Sequence, residues 1–175
     1  MPDATDLYGI ALDVLAGTPA SLVALLQPLP REIWEWSPAE GEWTPFEMLT
    51  HMLNVETGVI PVRVRHMLVE DGAPMPRSKE DISFGTPEET LQAWRDARDA
   101  NLTFLRGLTP SQLERTGAHP RYGPISAREH IIEWAYHDLE HLRQLQATIE
   151  ARLYPDIGGF QALYGPPYPS GEQPS

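Results

Sequence analysis

The chain has 175 residues, 41% of them hydrophobic, which is enough for one substantial core and short for two domains. Its 13 Lys and Arg stand against 25 Asp and Glu, and the net charge of -12 repels a phosphate backbone; the largest basic patch is Arg63, Arg65 and His66, too small for a duplex. Nucleic acid is excluded as a partner, and with no cysteine any transition metal has to be held by imidazole and carboxylate.

The first stretch, MPDATDLYGIALDVLAG, starts acidic where a targeting peptide would be basic, and Asp13 breaks its apolar run. No run reaches the roughly 18 consecutive apolar residues of a membrane span. A cytoplasmic protein without membrane contact is the expectation.

The first helical region is expected over Thr5 to Gln27, carried by Leu7, Ile10, Leu12, Leu15, Leu22, Leu25 and Leu26 and interrupted at Gly17-Thr18-Pro19, where a new cap begins. The second runs from Pro45 to about Glu70, with Met48, Met52, Val55, Val59 and Val62 inward, His51 among them, and a kink at Pro61. Pro87 to about Leu105 forms the third on Leu91, Trp94, Ala97, Ala100, Leu102 and Leu105, and Ala127 to about Leu153 the fourth on Ile131, Ala135, Leu142, Leu145 and Ile149. Four capping boxes mark helix starts at Thr44, Thr86, Thr109 and Ser126, where a hydroxyl accepts an orphan N–H and the glutamate or glutamine three residues later returns the bond. Strand patterns are weak, and SFGTP near Ser83 reads as a loop. The expected fold is an all-α four-helix bundle over residues 1–154, with long connections at Gln27 to Thr44 and Asp71 to Gly85. Nine of the last 21 residues are Gly or Pro, so residues 155–175 read as an irregular tail that Phe160, Leu163, Tyr164 and Tyr168 can pin down.

The segment HDLEHLRQ, residues 137 to 144, places His137 and His141 about 40° apart around one helix, with His130 and Trp134 in the same sector. Imidazoles at i and i+4 can share one cation at about 2.0 to 2.1 Å from each nitrogen. Two ligands are too few. His51, on the inward side of the second helix, is the third candidate, because a buried imidazole with no partner costs on the order of 1 to 3 kcal/mol. The residues alone leave the alternative open that these histidines are hydrogen-bonded core-edge groups of an interaction scaffold. Gln144 lies close enough in angle to His137 to bond a ligand or a neighbouring helix, Asp138 and Glu140 point away, and Trp34, Trp36 and Trp43 read as packing residues.

WTPFEMLTHMLNVE, residues 43 to 56, and REHIIEWAYHDLEHLRQL, residues 128 to 145, resemble the DinB-like proteins, including the YfiT-like metal-dependent hydrolases. The resemblance covers roughly Leu7 to Arg152. It implies a four-helix bundle with a zinc or nickel ion on His51, His137 and His141, and either transfer chemistry with a low-molecular-weight thiol or hydrolysis of a small-molecule substrate. A non-catalytic metal binder is the rival, and a homodimer is compatible with such families. With no Cys, a thiol nucleophile has to come from outside the chain. Arg63, Arg65 or His130 would hold substrate groups, and Glu56 would orient a ligand or act as a base.

Overall fold

The four hydroxyl caps sit where expected in the computed structural model, which describes residues 4–77 and 85–167. Thr44, Thr86 and Ser126 open the long helices α3 (Pro45–Asn54), α5 (Pro87–Arg106) and α7 (Ala127–Leu153), each with both bonds of its capping box made. The Thr109 box opens only a four-residue helix, α6 (Pro110–Leu113). Ahead of α5 lie also α1 (Ala4–Leu26), the short α2 (Arg31–Trp34) and α4 (Ile60–Val69). Ser83 and Phe84 of the SFGTP segment, like Tyr168, lie outside the described residues.

One sequence expectation gives way here. The break at Gly17-Thr18-Pro19 is absent: α1 runs straight through Pro19. Proline has no N–H to offer the carbonyl four residues back, which is that of Leu15. The Arg98 guanidinium of α5 fills the gap, Nη1 donating to Leu15 O at 2.9 Å, so the helix keeps its course. The second helix is irregular just before Pro61, where a kink was expected: Val55–Val59 form a π-helical turn between α3 and α4, and Val59 leaves helical angles at φ -117 and ψ -80. The wider turn absorbs the bond that Pro61 cannot make.

The chain also forms a hairpin that its weak strand pattern did not suggest. Strands β1 (Thr116–His119) and β2 (Gly123–Ser126) pair antiparallel, with Thr116 opposite Ser126 and His119 opposite Gly123. Four-residue strands rich in Gly and Pro carry too little alternation to be seen. Gly123 at φ 77 makes the turn. In the tail, Pro155 and the glycines limit helix to short turns and α8 (Gln161–Tyr164), with Phe160, Leu163 and Tyr164 exposed.

The neighbouring pairs in the bundle are α1 with α5 and α7, α3 with α5 and α7, and α4 with α7. The first and second long helices therefore stand diagonally opposite, as do α5 and α7, and the chain crosses those diagonals between Leu26 and Pro45 and again between Arg106 and Ala127, the second crossing holding α6 and the hairpin. Two apolar clusters fill the interior, one around Leu15, Val64, Ile131 and Trp134 and the other around Leu22, Leu49, Trp94 and Leu145. Residues Leu7–Leu26 of α1 are long and apolar enough to cross a membrane by composition, although no run is uninterrupted. In this fold the same helix buries Ala11, Leu15, Thr18, Leu22 and Leu26 in a core stripe. Leu7, Ile10 and Val62, expected inside, are 47%, 49% and 40% exposed, because the bundle covers a narrower arc than their helices' apolar faces.

Candidate metal centre

His51 stands in the last turn of α3 and faces α7, which presents His137 and His141 one turn apart. His137 Nε2 lies 3.2 Å from His51 Nε2 and 3.0 Å from His141 Nε2. Three imidazoles from segments 86 residues apart thus point their Nε2 atoms at one spot. Two nitrogens that each sit about 2.0 to 2.1 Å from one cation are about 3.0 to 3.4 Å apart at ordinary coordination angles, so the spacing fits a shared ion. Gln144 Oε1 is 2.7 Å from His141 Nδ1; an amide oxygen only accepts, so Nδ1 carries the proton and Nε2 keeps its lone pair.

His137 Nδ1 is also buried, with no hydrogen-bond partner among the described residues. Burial lowers the pKa of all three rings: that of His137 falls to about 3, helped by His141, His51 and Arg98, and that of His141 to about 4, helped by His51. The rings are therefore neutral at pH 7 and have lone pairs to offer. An all-nitrogen set of this kind suits a divalent transition metal, without choosing among those that imidazole binds.

The same shifts predict an acid response. The unfolded chain protonates these histidines near pH 6.5 while the folded, metal-free chain resists until about 4 and 3, so the unfolded state binds more protons in that window. Stability is intact above pH 6.5 and falls as pH drops, by up to about 1.4 kcal/mol per pH unit for each histidine titrating differently. Urea melts of metal-free protein at pH 7, 6 and 5 check this; a His137→Gln variant loses less on acidification.

Trp43 lies one residue before the Thr44 cap, and that cap fixes its place over the histidines: its ring is 4.9 Å from His51 and stacks 6.1 Å from His141. A packing role was expected for it; it forms one wall of the site instead, whereas Trp34 is buried in the core. Two clefts meet at His51. One, about 280 Å³, is lined by Trp43, Phe46, Glu47, Thr50 and Asn54. The other, about 300 Å³, is lined by the three histidines, by Val55 and Val59 of the π turn with Ile60 at the start of α4, and by the polar side chains of Arg63, His130 and Glu133.

Of the residues singled out in sequence, Arg63 and His130 line this cleft, and the His130 Nε2 atom is buried with no hydrogen-bond partner among the described residues. Glu56 does not. Its carboxylate turns into the bundle, where Oε1 accepts from Arg98 Nε at 2.9 Å and Asn101 Nδ2 at 2.9 Å and Oε2 accepts from Arg98 Nη2 at 2.7 Å. A carboxylate so engaged and 1% exposed has no reach to a substrate. Arg65 is likewise elsewhere, its guanidinium 3.7 Å over the Phe104 ring. Asp138 points away from the histidines as expected, but into the core rather than to solvent. Glu133 was missed in sequence; its i+3 spacing from His130 was the available signal.

A model of the DinB superfamily matches residues 15–145. No curated protein sequence matches the chain. Among solved structures, YfiT from Bacillus subtilis, described as a probable metal-dependent hydrolase with an unusual four-helix bundle topology, is 18% identical, with 83% of this chain and 87% of that one covered at a TM-score of 0.74. TT2238, described as a four-helix bundle protein, is 26% identical, with 80% and 98% covered at a TM-score of 0.62.

Proposed function

Because the chain belongs to the DinB superfamily, we propose that it is a metal-dependent enzyme acting on a small molecule, with His51, His137 and His141 as the ligands of a zinc or nickel ion. The observation that carries this is the meeting of three neutral Nε2 atoms at the side of an open cleft whose other lining includes the paired side chains His130 and Glu133. When bound, such an ion lowers the pKa of a thiol or a water and makes a nucleophile at neutral pH.

The chain's own groups then divide the remaining work. Val55, Val59 and Ile60 give the cleft an apolar wall that limits water. His130 Nδ1 lies 3.2 Å from a Glu133 carboxylate oxygen, which favours the proton on Nδ1 and leaves a lone pair on the buried Nε2 of a ring that lines the cleft. A turn of the ring that uncovers Nε2 lets that lone pair accept the proton of the incoming thiol or water, with Glu133 favouring the useful tautomer. Arg63, at the same end, orients an anionic group of the substrate. The second cleft, across His51, gives room for a second small molecule, which favours transfer of a low-molecular-weight thiol over hydrolysis.

The test is turnover of chlorodinitrobenzene by cysteine or mercaptoethanol with zinc- or nickel-loaded protein, read as chloride release. Wild type is expected to exceed the uncatalysed rate, and His130→Gln to lose about 100-fold or more while still binding metal. If that screen and a matching one with ester and amide substrates both give only background rates on fully loaded protein, the enzyme reading fails and a metal binder remains.

A further inference from the structure

Among the described residues, Arg98 is the one cation buried where all four long helices meet, and every side-chain N–H it has is used. It lies on α5, 1% exposed, with its guanidinium 4.7 Å and 5.4 Å from the rings of Trp94 and Trp134. Nε and Nη2 donate to the two oxygens of Glu56 in the π turn at 2.9 and 2.7 Å. Nη1 and Nη2 donate to the two oxygens of Asp138 on α7 at 2.6 and 3.1 Å. The fifth hydrogen goes to Leu15 O, the carbonyl that Pro19 leaves open in α1. Five donors meet five acceptors on three other helical segments, a match that the rigid guanidinium fork makes and a lysine, with three donors on a flexible stem, does not.

The two carboxylates sit at telling positions. Asp138 follows His137 directly, and Glu56 lies five residues after His51, in the π turn that continues the same helix. Asn101 Nδ2, one turn along α5, also donates to the backbone oxygen of Glu56 at 2.9 Å, pinning the π turn itself. We infer that Arg98 is a positioning residue for the three-histidine site: by clamping Glu56 and Asp138 to each other it sets the spacing and rotation of the two helices that carry His51 and His137. It touches no substrate. The inference rests on the proposed reading that these histidines hold a metal.

A buried ion-pair cluster is weak evidence of stability, since apolar groups of similar volume often replace one without loss. What such a replacement does not restore is a fixed register between helices, and that separates positioning from bulk support. The experiment compares wild type, Arg98→Lys, and the triple variant Glu56→Leu, Arg98→Met, Asp138→Leu, with Leu113→Ala as a control. Leu113 is a core residue beside the start of α7, about 15 Å along that helix from His137, and its truncation destabilises without touching the site. Zinc affinity is measured by competition with a chromophoric chelator, and thermal midpoint separately. In metal-free protein, nuclear Overhauser contacts between the His51 and His137 rings, whose centroids are 5.4 Å apart, report the geometry without metal.

Arg98→Lys and the triple variant are expected to bind zinc at least 10-fold more weakly and to lose the ring contacts, while Leu113→Ala keeps both despite a lower midpoint. Wild-type affinity and intact ring contacts in a folded Arg98→Lys or triple variant overturn the inference. Wild type that binds no zinc overturns the metal reading instead, and the ring contacts in metal-free protein then still decide whether Arg98 sets the geometry.

Discussion

Adding zinc to metal-free wild type is expected to raise the thermal midpoint by about 8 to 16 °C when free zinc is 1,000 times its dissociation constant. The figure follows from a linkage gain of about 4.1 kcal/mol and a response of about 2 to 4 °C per kcal/mol for a chain of this size. Neutral imidazoles held ready at pH 7 are what let the ion bind without first displacing protons. Removing either His137 or His51 takes one of three ligands, and the two-ligand remnant is expected to give a shift near zero. Differential scanning calorimetry on chelator-stripped protein, with zinc titrated in, checks both parts. A surface artefact would behave otherwise: zinc bound adventitiously by exposed carboxylates would shift the variants as much as wild type.

Arg98→Ala is expected to be the most damaging single substitution. It leaves Glu56 and Asp138 facing each other inside the bundle, both 1% exposed, with no cation between them, and reopens the Leu15 carbonyl beside Pro19. Breaking a buried pair by removing one partner costs about 3 to 5 kcal/mol, a large share of the roughly 5 to 15 kcal/mol that holds a domain together. Burial already pushes the Glu56 carboxyl up, against the opposing pull of Arg98 and Asn101, so without the guanidinium it takes up a proton more readily. For Arg98 itself, burial works against the charge, yet Asp138 and Glu56 outweigh it and hold the guanidinium more firmly cationic than usual. Chemical denaturation is expected to show Arg98→Ala unfolded or strongly destabilised, and Arg98→Ala with Glu56→Leu and Asp138→Leu recovering most of the loss. A single variant within 1 kcal/mol of wild type would contradict the assignment of Arg98 as the central cation.

Much of this fold is legible in sequence because its signals are local. Thr44, Thr86 and Ser126 announce helix starts through residues three positions away, and each of those boxes is formed. The convergence of His51 with His137 and His141 was readable from the i, i+4 pair and one inward imidazole. The central cluster was not read, although its phase was available. Arg98 follows Trp94 by four and Leu91 by seven, Asp138 follows Trp134 by four and Ile131 by seven, and Glu56 follows Met52 by four. All three lie on buried stripes. A charged residue in phase with an apolar stripe is a better signal than the charged neighbours Arg95, Asp96 and Asp99 that disguised it. Pro19 misled for a non-local reason, since the donor that takes up the Leu15 carbonyl comes from a residue 83 positions beyond Leu15. The hairpin failed for want of length, and the role of Trp43 because nothing local says which side of a cap a preceding ring will cover.

The measurement that bears most directly on the shared site is metal content by plasma mass spectrometry on tag-free protein, purified beside His51→Ala and His137→Ala. About one zinc or nickel per chain in wild type and near none in either variant is the expected result, because the two histidines belong to helices that only the fold brings together. Metal retained in both variants, or a folded wild type that holds none and takes up neither added zinc nor added nickel, would contradict it.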